Sequence, residues 1–261
     1  MANNVTKKKE TNVSNINSAM LLQDAGAGQE KMSQEDMMIP RLSILQQMSD
    51  QVNKANGAYV AGAEPGMILD NVANKAINGE KGIEVVPISY RRAHIEWKKD
   101  RGGLVADHGS DEKVLEKCSR GDKGEYFTDE GNEIVITGEY FVFLIDDDGY
   151  TPAVLSMSKS QFKKARTWNT MMNRLMIEAD GQVINPAMFF TSYQLTTVPE
   201  KNDQGSWFGW SFKMNHDAKS GGIIQNHPQG EEIYLAARNF KAQVAQGDVK
   251  VSPESQDDDV M

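Results

Sequence analysis

The sequence predicts an α+β, β-dominated body: an OB-fold-like antiparallel barrel or curled sheet, with one or two packed helices and disordered termini. Three observations predict it. Segments rich in β-branched and aromatic residues recur at 82–97, 133–145, 150–157, 188–198 and 206–214, the composition of pleated, half-buried strands. Turn residues separate them in hairpin-like fashion. Helical spacing of apolar residues occurs strongly in only two places, after Ser158 and after Glu231.

The elements follow in order. Residues 1–36 are rich in Asn, Ser, Gln, Gly and Ala, carry Lys7, Lys8 and Lys9 in a row, and have almost no aromatics. They read as a disordered arm with a short helix around 18–23. From Ile39 and Pro40 the pattern changes, and Leu42, Ile44, Leu45 and Met48 suggest a helix or strand docked on the core. Residues 55–66 are a Gly/Ala/Pro loop. Residues 82–97 form a strand region broken near Pro87 and ended by Gly102 and Gly103, and 107–124 is charged and loop-like. Residues 133–145 form a second strong strand region. Asp146, Asp147, Asp148 and Gly149 then turn the chain into 150–157, because Asp-Gly supplies the positive φ that a tight hairpin needs. A second, aromatic hairpin pairs 188–198 with 206–214 through a loop over 199–205.

The clearest helix lies between the hairpins. Ser158 and Gln161 have capping-box spacing. Phe162, Ala165, Trp168, Met171, Met172, Leu175 and Met176 then fall on one face. Lys159, Lys163, Arg166 and Arg174 fall on the opposite face, with Lys164 at the boundary. A last helix over 231–246 carries an apolar stripe of Ile233, Tyr234, Ala237, Phe240 and Val244. The domain layout is therefore an arm over 1–36, a β-rich domain over 37–247 and an acidic tail over 248–261.

Composition narrows the function classes. The chain has 261 residues, a formal charge of −9 and one cysteine, Cys118; its mean hydropathy is −0.54. No apolar run approaches the ~20 residues that span a bilayer, and no secretory leader is expected, so the sequence points to the cytoplasm and away from membranes. A single cysteine excludes a disulfide framework and a multi-Cys zinc site. The charge is segregated: 248–261 holds Asp248, Glu254, Asp257, Asp258 and Asp259 against Lys250, whereas 156–177 holds five bases and no acid.

Catalytic patterns are weak. Asp146, Asp147 and Asp148 suit magnesium by chemistry, but adjacent turn residues point apart and Asp before Gly is ordinary turn chemistry. His94 and Glu96 match half of a zinc deaminase pattern whose cysteines are missing, and read better as a cross-strand polar pair. His216 and His227 are too far apart and too unaccompanied to argue a metal site. Cys118 lies in a charged loop with no local His. There is no phosphate-binding Gly-rich loop. Neither an enzyme nor a cofactor is expected.

Binding patterns are stronger. A single-stranded nucleic acid is held by cations along its backbone and by aromatic faces under its bases. Tyr90, Arg91, Arg92, Trp97, Lys98, Lys99 and Arg101 interleave both on one strand and its exit. The second hairpin adds Tyr193, Trp207 and Trp210, and the helix adds Lys159, Lys163, Arg166 and Arg174. Trp207, Phe208 and Trp210 cannot all face one way on a strand.

This layout, over 37–261, resembles phage single-stranded-DNA-binding proteins of the helix-destabilising type. The carriers are the aromatic β body with basic residues beside it and the terminal Asp257, Asp258, Asp259, Val260 and Met261. The run Ile39, Pro40, Arg41, Leu42, Ser43, Ile44, Leu45, Gln46 and the stretch 85–97 also resemble phage proteins of unassigned role. Tails in that family end on an aromatic; this one ends on Met261. The resemblance implies sequence-independent binding and protection of single-stranded DNA in phage replication or recombination. It also implies a tail, Asp257 to Met261, that competes for the groove and docks a polymerase or helicase. A homodimer is compatible with it. Two other readings are a metal-dependent nuclease built on the Asp146–Asp148 turn and a structural or virion-associated protein.

Overall fold

In a computed structural model, the chain is described at residues 18–31, 36–99, 103–147, 149–203, 205–217, 219–247 and 249. It is strand-dominated. The strands are β1 (Arg41–Ile44), β2 (Ile68–Asp70), β3 (Lys75–Ile77), β4 (Ile83–Trp97), β5 (Leu104–Asp107), β6 (Ser119–Arg120), β7 (Tyr126–Phe127), β8 (Glu133–Asp146), β9 (Gly149–Ser158), β10 (Ile177–Ala179), β11 (Gln182–Ile184), β12 (Tyr193–Asn202) and β13 (Gly205–Met214). The helices are α1 (Ser18–Gln23), α2 (Lys159–Asn173), α3 (Gly222–Asn226) and α4 (Gly230–Gln246). α1 is the short helix expected in the N-terminal arm.

One curled, half-barrel sheet runs in the order β13-β12-β4-β8-β9-β1-β2-β3, with β5, β6 and β7 attached beside β4 and β8; β10 and β11 form a separate hairpin. The expected curled sheet is therefore present. Its one departure from an antiparallel layout is β1, which runs parallel to β9 through Arg41↔Val154 and Leu42↔Leu155. The expected break at Pro87 is a bulge within one 15-residue strand, because the register against β8 shifts between Pro87 and Ser89. The first hairpin closes at Asp146↔Gly149, with Gly149 at φ +137°. The second is tighter than expected. Residues 199–202 continue β12, so the turn lies between Asn202 and Gly205, while Met188–Phe190 is a 3-10 turn ahead of the strand.

Alternation along the strands builds two cores. On the inner face, Leu42, Ile68, Val85, Tyr140, Val142, Leu155, Leu195 and Trp210 join Ala165, Trp168 and Met172 of α2. These residues come from both ends of the sheet order, so they share the hollow of the curl, and α2 fills it. On the outer face, Val86, Ile88, Phe141, Phe143, Ile145 and Val154 pack under Ile233, Ala237 and Phe240 of α4. Gly138 lets α2 come close: a Cβ there would lie 3.2 Å from the Ala165 Cβ and 3.2 Å from the Tyr90 ring.

The open edge of β13 is covered by side chains. Gln46 donates through Nε2 to the Phe208 carbonyl (3.0 Å) and accepts from the Phe208 N–H (2.9 Å). Gln161 accepts from the Trp210 N–H (3.0 Å), and the Lys164 ammonium donates to the Trp210 carbonyl (2.6 Å). These contacts supply what a further strand would, which removes an exposed pairing edge. They also correct the expected capping box: Ser158 is the N-cap without a side-chain cap bond, and Gln161 is committed to β13.

Candidate nucleic-acid interface

α2 leaves β9 with no intervening loop. Ser158 ends the strand and Lys159 starts the helix at φ +44°, a left-handed conformation uncommon outside glycine. The helix is then fixed by its buried side. Trp168 stacks on Phe212 at 4.9 Å and 8°, lies 4.5 Å from the Tyr140 ring and meets Tyr193 edge-on at 5.5 Å. The single proton of the Tyr140 hydroxyl is shared between the Ala165 carbonyl (2.9 Å) and Asn169 Oδ1 (2.8 Å). At the far end, Asn185 Nδ2 donates to the carbonyls of Met172, Asn173 and Leu175.

This packing sorts the helix cations. Lys164 is structural: besides Trp210 it pairs with Glu200 at 2.6 Å. Lys159 lies 3.5 Å from Glu133. Lys163, Arg166 and Arg174 are exposed and make no ion pair among the described residues.

Beside the start of α2 lies a cleft of about 370 Å³. Its walls include Lys159 and Phe162 from α2, Ile134 and Ile136 from β8, and Lys123 and Tyr126 from the β6–β7 hairpin; Glu125 and Glu133 also line it. Pairing explains the arrangement. Arg120 opposes Tyr126 and Tyr126 opposes Ile134, so the three share one face across β6, β7 and β8. The Arg120 guanidinium sits 4.0 Å from the Tyr126 ring centre, and that of Arg166 sits 4.9 Å from the Phe162 ring centre. Tyr126 and Phe162 are both half-buried. None of Tyr126, Phe162, Arg120 or Lys123 was named as a site residue from sequence. β6 and β7 are two residues each, too short for any period; β6 falls in the stretch 107–124 that reads as loop, and β7 just past it.

The strand-borne candidates divide. Trp97, Tyr193 and Trp210 are at most 2% exposed. Their rings are spent on packing, which corrects the expectation that they offer faces to bases. Arg91 is paired with Glu139 and, at 2.7 Å, with Asp107. Burial pulls its pKa down, but Glu139 and Asp107 outweigh this and raise it. Glu139 is buried and also bonded to Arg41 at 2.8 Å. Through the pair Arg91↔Glu139, Arg91 shares the outer face with Phe141, away from α2. Arg92 pairs with Glu112 at 3.2 Å. Tyr90 is half-buried against Tyr140, with ring centres 4.9 Å apart. Trp207 is half-buried and donates through Nε1 to Glu200 (3.0 Å). Lys98 and Lys99 are exposed and leave the sheet at the cleft's end, since Trp97 opposes Glu133. Arg101 and the tail residues Asp257, Asp258, Asp259, Val260 and Met261 lie outside the described residues.

The alternative chemistries find little geometry. Glu96 reaches the residues flanking its neighbouring strands rather than His94: His108 Nε2, just past β5, lies 2.7 Å from its carboxylate, and Asn132, just before β8, donates to it at 2.7 Å. Burial, then Glu96 and Asp129, push the Cys118 thiol above its ordinary pKa, which disfavours a nucleophilic thiolate. Among the described residues no His, Cys, Asp and Glu side chains group to hold a metal, and Asp148 is not among them. No helix among them is long and apolar enough to cross a membrane.

No curated protein and no solved structure matches the chain. Residues 8–250 match the family model described as Pam3 phage gp34-like protein. The chain, a phage protein, therefore belongs to the Pam3 phage gp34-like family.

Proposed function

We propose that this phage protein binds single-stranded DNA without reading its sequence, in replication or recombination within the host cytoplasm, and performs no catalysis itself. One observation carries the reading. α2 and its C-cap present Lys163, Arg166 and Arg174 to solvent with no ion pair among the described residues, in a stretch with five bases and no acid, inside a chain of charge −9. The phosphate backbone of a single strand is the polyanion that such a stripe suits. Lys98 and Lys99 extend it, and half-buried Tyr126 and Phe162 offer rings beside it.

The acidic tail completes the reading. Asp257, Asp258 and Asp259 mimic a run of phosphates, so the tail competes with DNA for the α2 face and, once displaced, is offered to a polymerase or helicase. Because both would occupy the same face, each weakens the other's binding, and by linkage the effect is reciprocal. Binding of poly-dT, measured by filter retention, should fall steeply between about 50 and 200 mM salt through counterion release. Affinity that stays flat over that range overturns the proposal. Removing residues 252–261 takes away Glu254, Asp257, Asp258 and Asp259, so the charge moves from −9 to −5. The truncated chain should bind more tightly, most at low salt, where exposed charges are least screened. Equal affinities at low salt refute the competition.

A further inference from the structure

We infer that the cleft beside α2 receives one unpaired nucleobase of the bound strand, while the phosphates on either side lie along α2. This rests on the reading that the protein binds single strands, and adds where and how a base is held.

The cleft's chemistry selects a base over a phosphate. Its volume, about 370 Å³, is at the lower end of small-ligand pockets. Ile134, Ile136, Phe162 and Tyr126 give it apolar and aromatic walls, and Glu125 and Glu133 line it too, the latter 3.5 Å from Lys159. A phosphate entering it would find the two lysines of the lining offset by the two glutamates. A neutral base would meet ring faces, a favourable contact for any base because every base has a π face. Of the two lysines that line the cleft, Lys159 already faces Glu133, and Lys123, exposed, can meet the backbone as it enters.

The arginines leave the site clear. Arg120 covers Tyr126 and Arg166 covers Phe162, yet neither arginine lines the cleft. Each therefore polarises its ring from outside and leaves the cleft side free. Arg166 belongs at once to the exposed cationic face of α2 and to the Phe162 ring, so it links the phosphate path to the base site. A base held in a duplex keeps its faces stacked on its neighbours and cannot enter. The cleft thus gives the interface a reason to prefer single strands that the charge of α2 alone does not.

The test uses full-length protein and an oligonucleotide of thymidines carrying one 2-aminopurine. Anisotropy reads binding, and 2-aminopurine fluorescence reads its stacking. Tyr126→Leu keeps the apolar bulk and removes the π face. It should weaken binding on the order of tenfold, leave the salt dependence unchanged and suppress the fluorescence change. Lys163→Ala with Arg166→Ala should instead lower the salt dependence. If wild type binds and Tyr126→Leu matches it in affinity and fluorescence, the cleft assignment is overturned and strand binding stands. If wild type binds no single strand, both fall. Equal affinity for duplex, or competition by micromolar dAMP that Tyr126→Leu abolishes, also overturns it, since the cleft would then be blind to pairing or built for a free nucleotide.

Discussion

α2 and α4 do the same architectural job on opposite faces of one sheet. α2 contributes Ala165, Trp168 and Met172 to the inner core, and α4 contributes Ile233, Ala237 and Phe240 to the outer one. Their exposed sides differ. α4 carries Glu231 and Glu232 in its first turn, with Arg238 and Lys241 further on, so its charges balance. Acids at the N-terminus are what the helix dipole favours. α2 has no acid in its first turn and carries Lys159, Lys163, Lys164 and Arg166 along its length. Cations near a helix N-terminus work against the dipole by typically 0.3–1 kcal/mol each. The fold asks for a buried apolar stripe from both helices. Apart from Lys164, which holds Trp210 and Glu200, and Lys159, which faces Glu133, it does not ask for α2's charge, and α4 shows that a neutral, dipole-matched surface serves equally well. The excess charge on α2 is therefore the part of the helix that packing leaves unexplained.

The largest expected effects test the shared part of this comparison. Trp168→Ala removes a side chain in contact with the rings of Phe212, Tyr140 and Tyr193 and should cost about 3–5 kcal/mol in chemical denaturation. Phe240→Ala, which loses contacts to Phe141 and Phe143, should fall in the same range. The two differ in consequence. Partial loosening at Trp168 unseats α2 and should abolish binding to single strands, whereas loosening at Phe240 should leave residual folded protein able to bind. A cost under about 1 kcal/mol for Trp168→Ala would mean that α2 does not belong to the core.

Alkaline pH probes the inner face next. Burial pushes the Tyr193 phenol up to about 12, and burial followed by Tyr90 raises Tyr140 as well. An unfolded tyrosine ionises near pH 10. Below that value both states keep the proton. Above it the unfolded chain ionises first, so stability falls as pH rises from about 10 to 12. For Tyr193 alone two units correspond to roughly 3 kcal/mol. Denaturation midpoints at pH 9 and about 11.5 should differ by an amount that Tyr193→Phe reduces. An unchanged difference in that variant would remove Tyr193 as a source of the sensitivity and leave it to Tyr140.

Much of this was legible before the structure, for physical reasons that can be named. β4, β8 and β9 are long and bury both faces, so their apolar runs stand out, and α2 and α4 announce themselves by period. β1 gives no sign in its sequence that it pairs parallel to β9, because register depends on the distant strand. Pro199 and the polar residues after it suggested a loop, yet β12 pairs with β4 only through Tyr193, Gln194 and Leu195. Beyond that point Thr197 still donates its N–H to the Gly79 carbonyl, but no strand pairs with that edge of β12 at Pro199, where a missing N–H costs little. Within the site, the α2 cations were visible as a charge run. The aromatics were not separable: Tyr193 and Trp210 look like stacking residues until the curl of the sheet turns them into the inner core, and Trp97 until it is buried in a separate cluster with Ala93, Ile95 and Val135. Tyr126 and Arg120 became partners only through a pairing of two-residue strands, which no local pattern encodes.

The smallest expected effects sharpen the difference itself. Lys163→Ala with Arg166→Ala should change folding stability by about 0.5 kcal/mol or less, as for surface positions generally. Arg166 leaves the Phe162 ring, a contact worth about 0.5–1 kcal/mol at an exposed site, while relief of the helix N-terminus acts in the opposite direction. Single-strand binding should weaken, and the slope of log K against log salt should become shallower by about 1.4, two contacts at about 0.7 each. The matching pair on α4, Arg238→Ala with Lys241→Ala, removes the same formal charge from an equally exposed helix surface. If binding responded only to the net charge of the molecule, both pairs would weaken it equally. If it depends on a strand lying along α2, the α4 pair should leave affinity and slope near wild type, apart from a small long-range term that vanishes above a few hundred millimolar salt. Equal losses from the two pairs would reduce α2 to one cationic surface among several and remove the ground for assigning the interface to it.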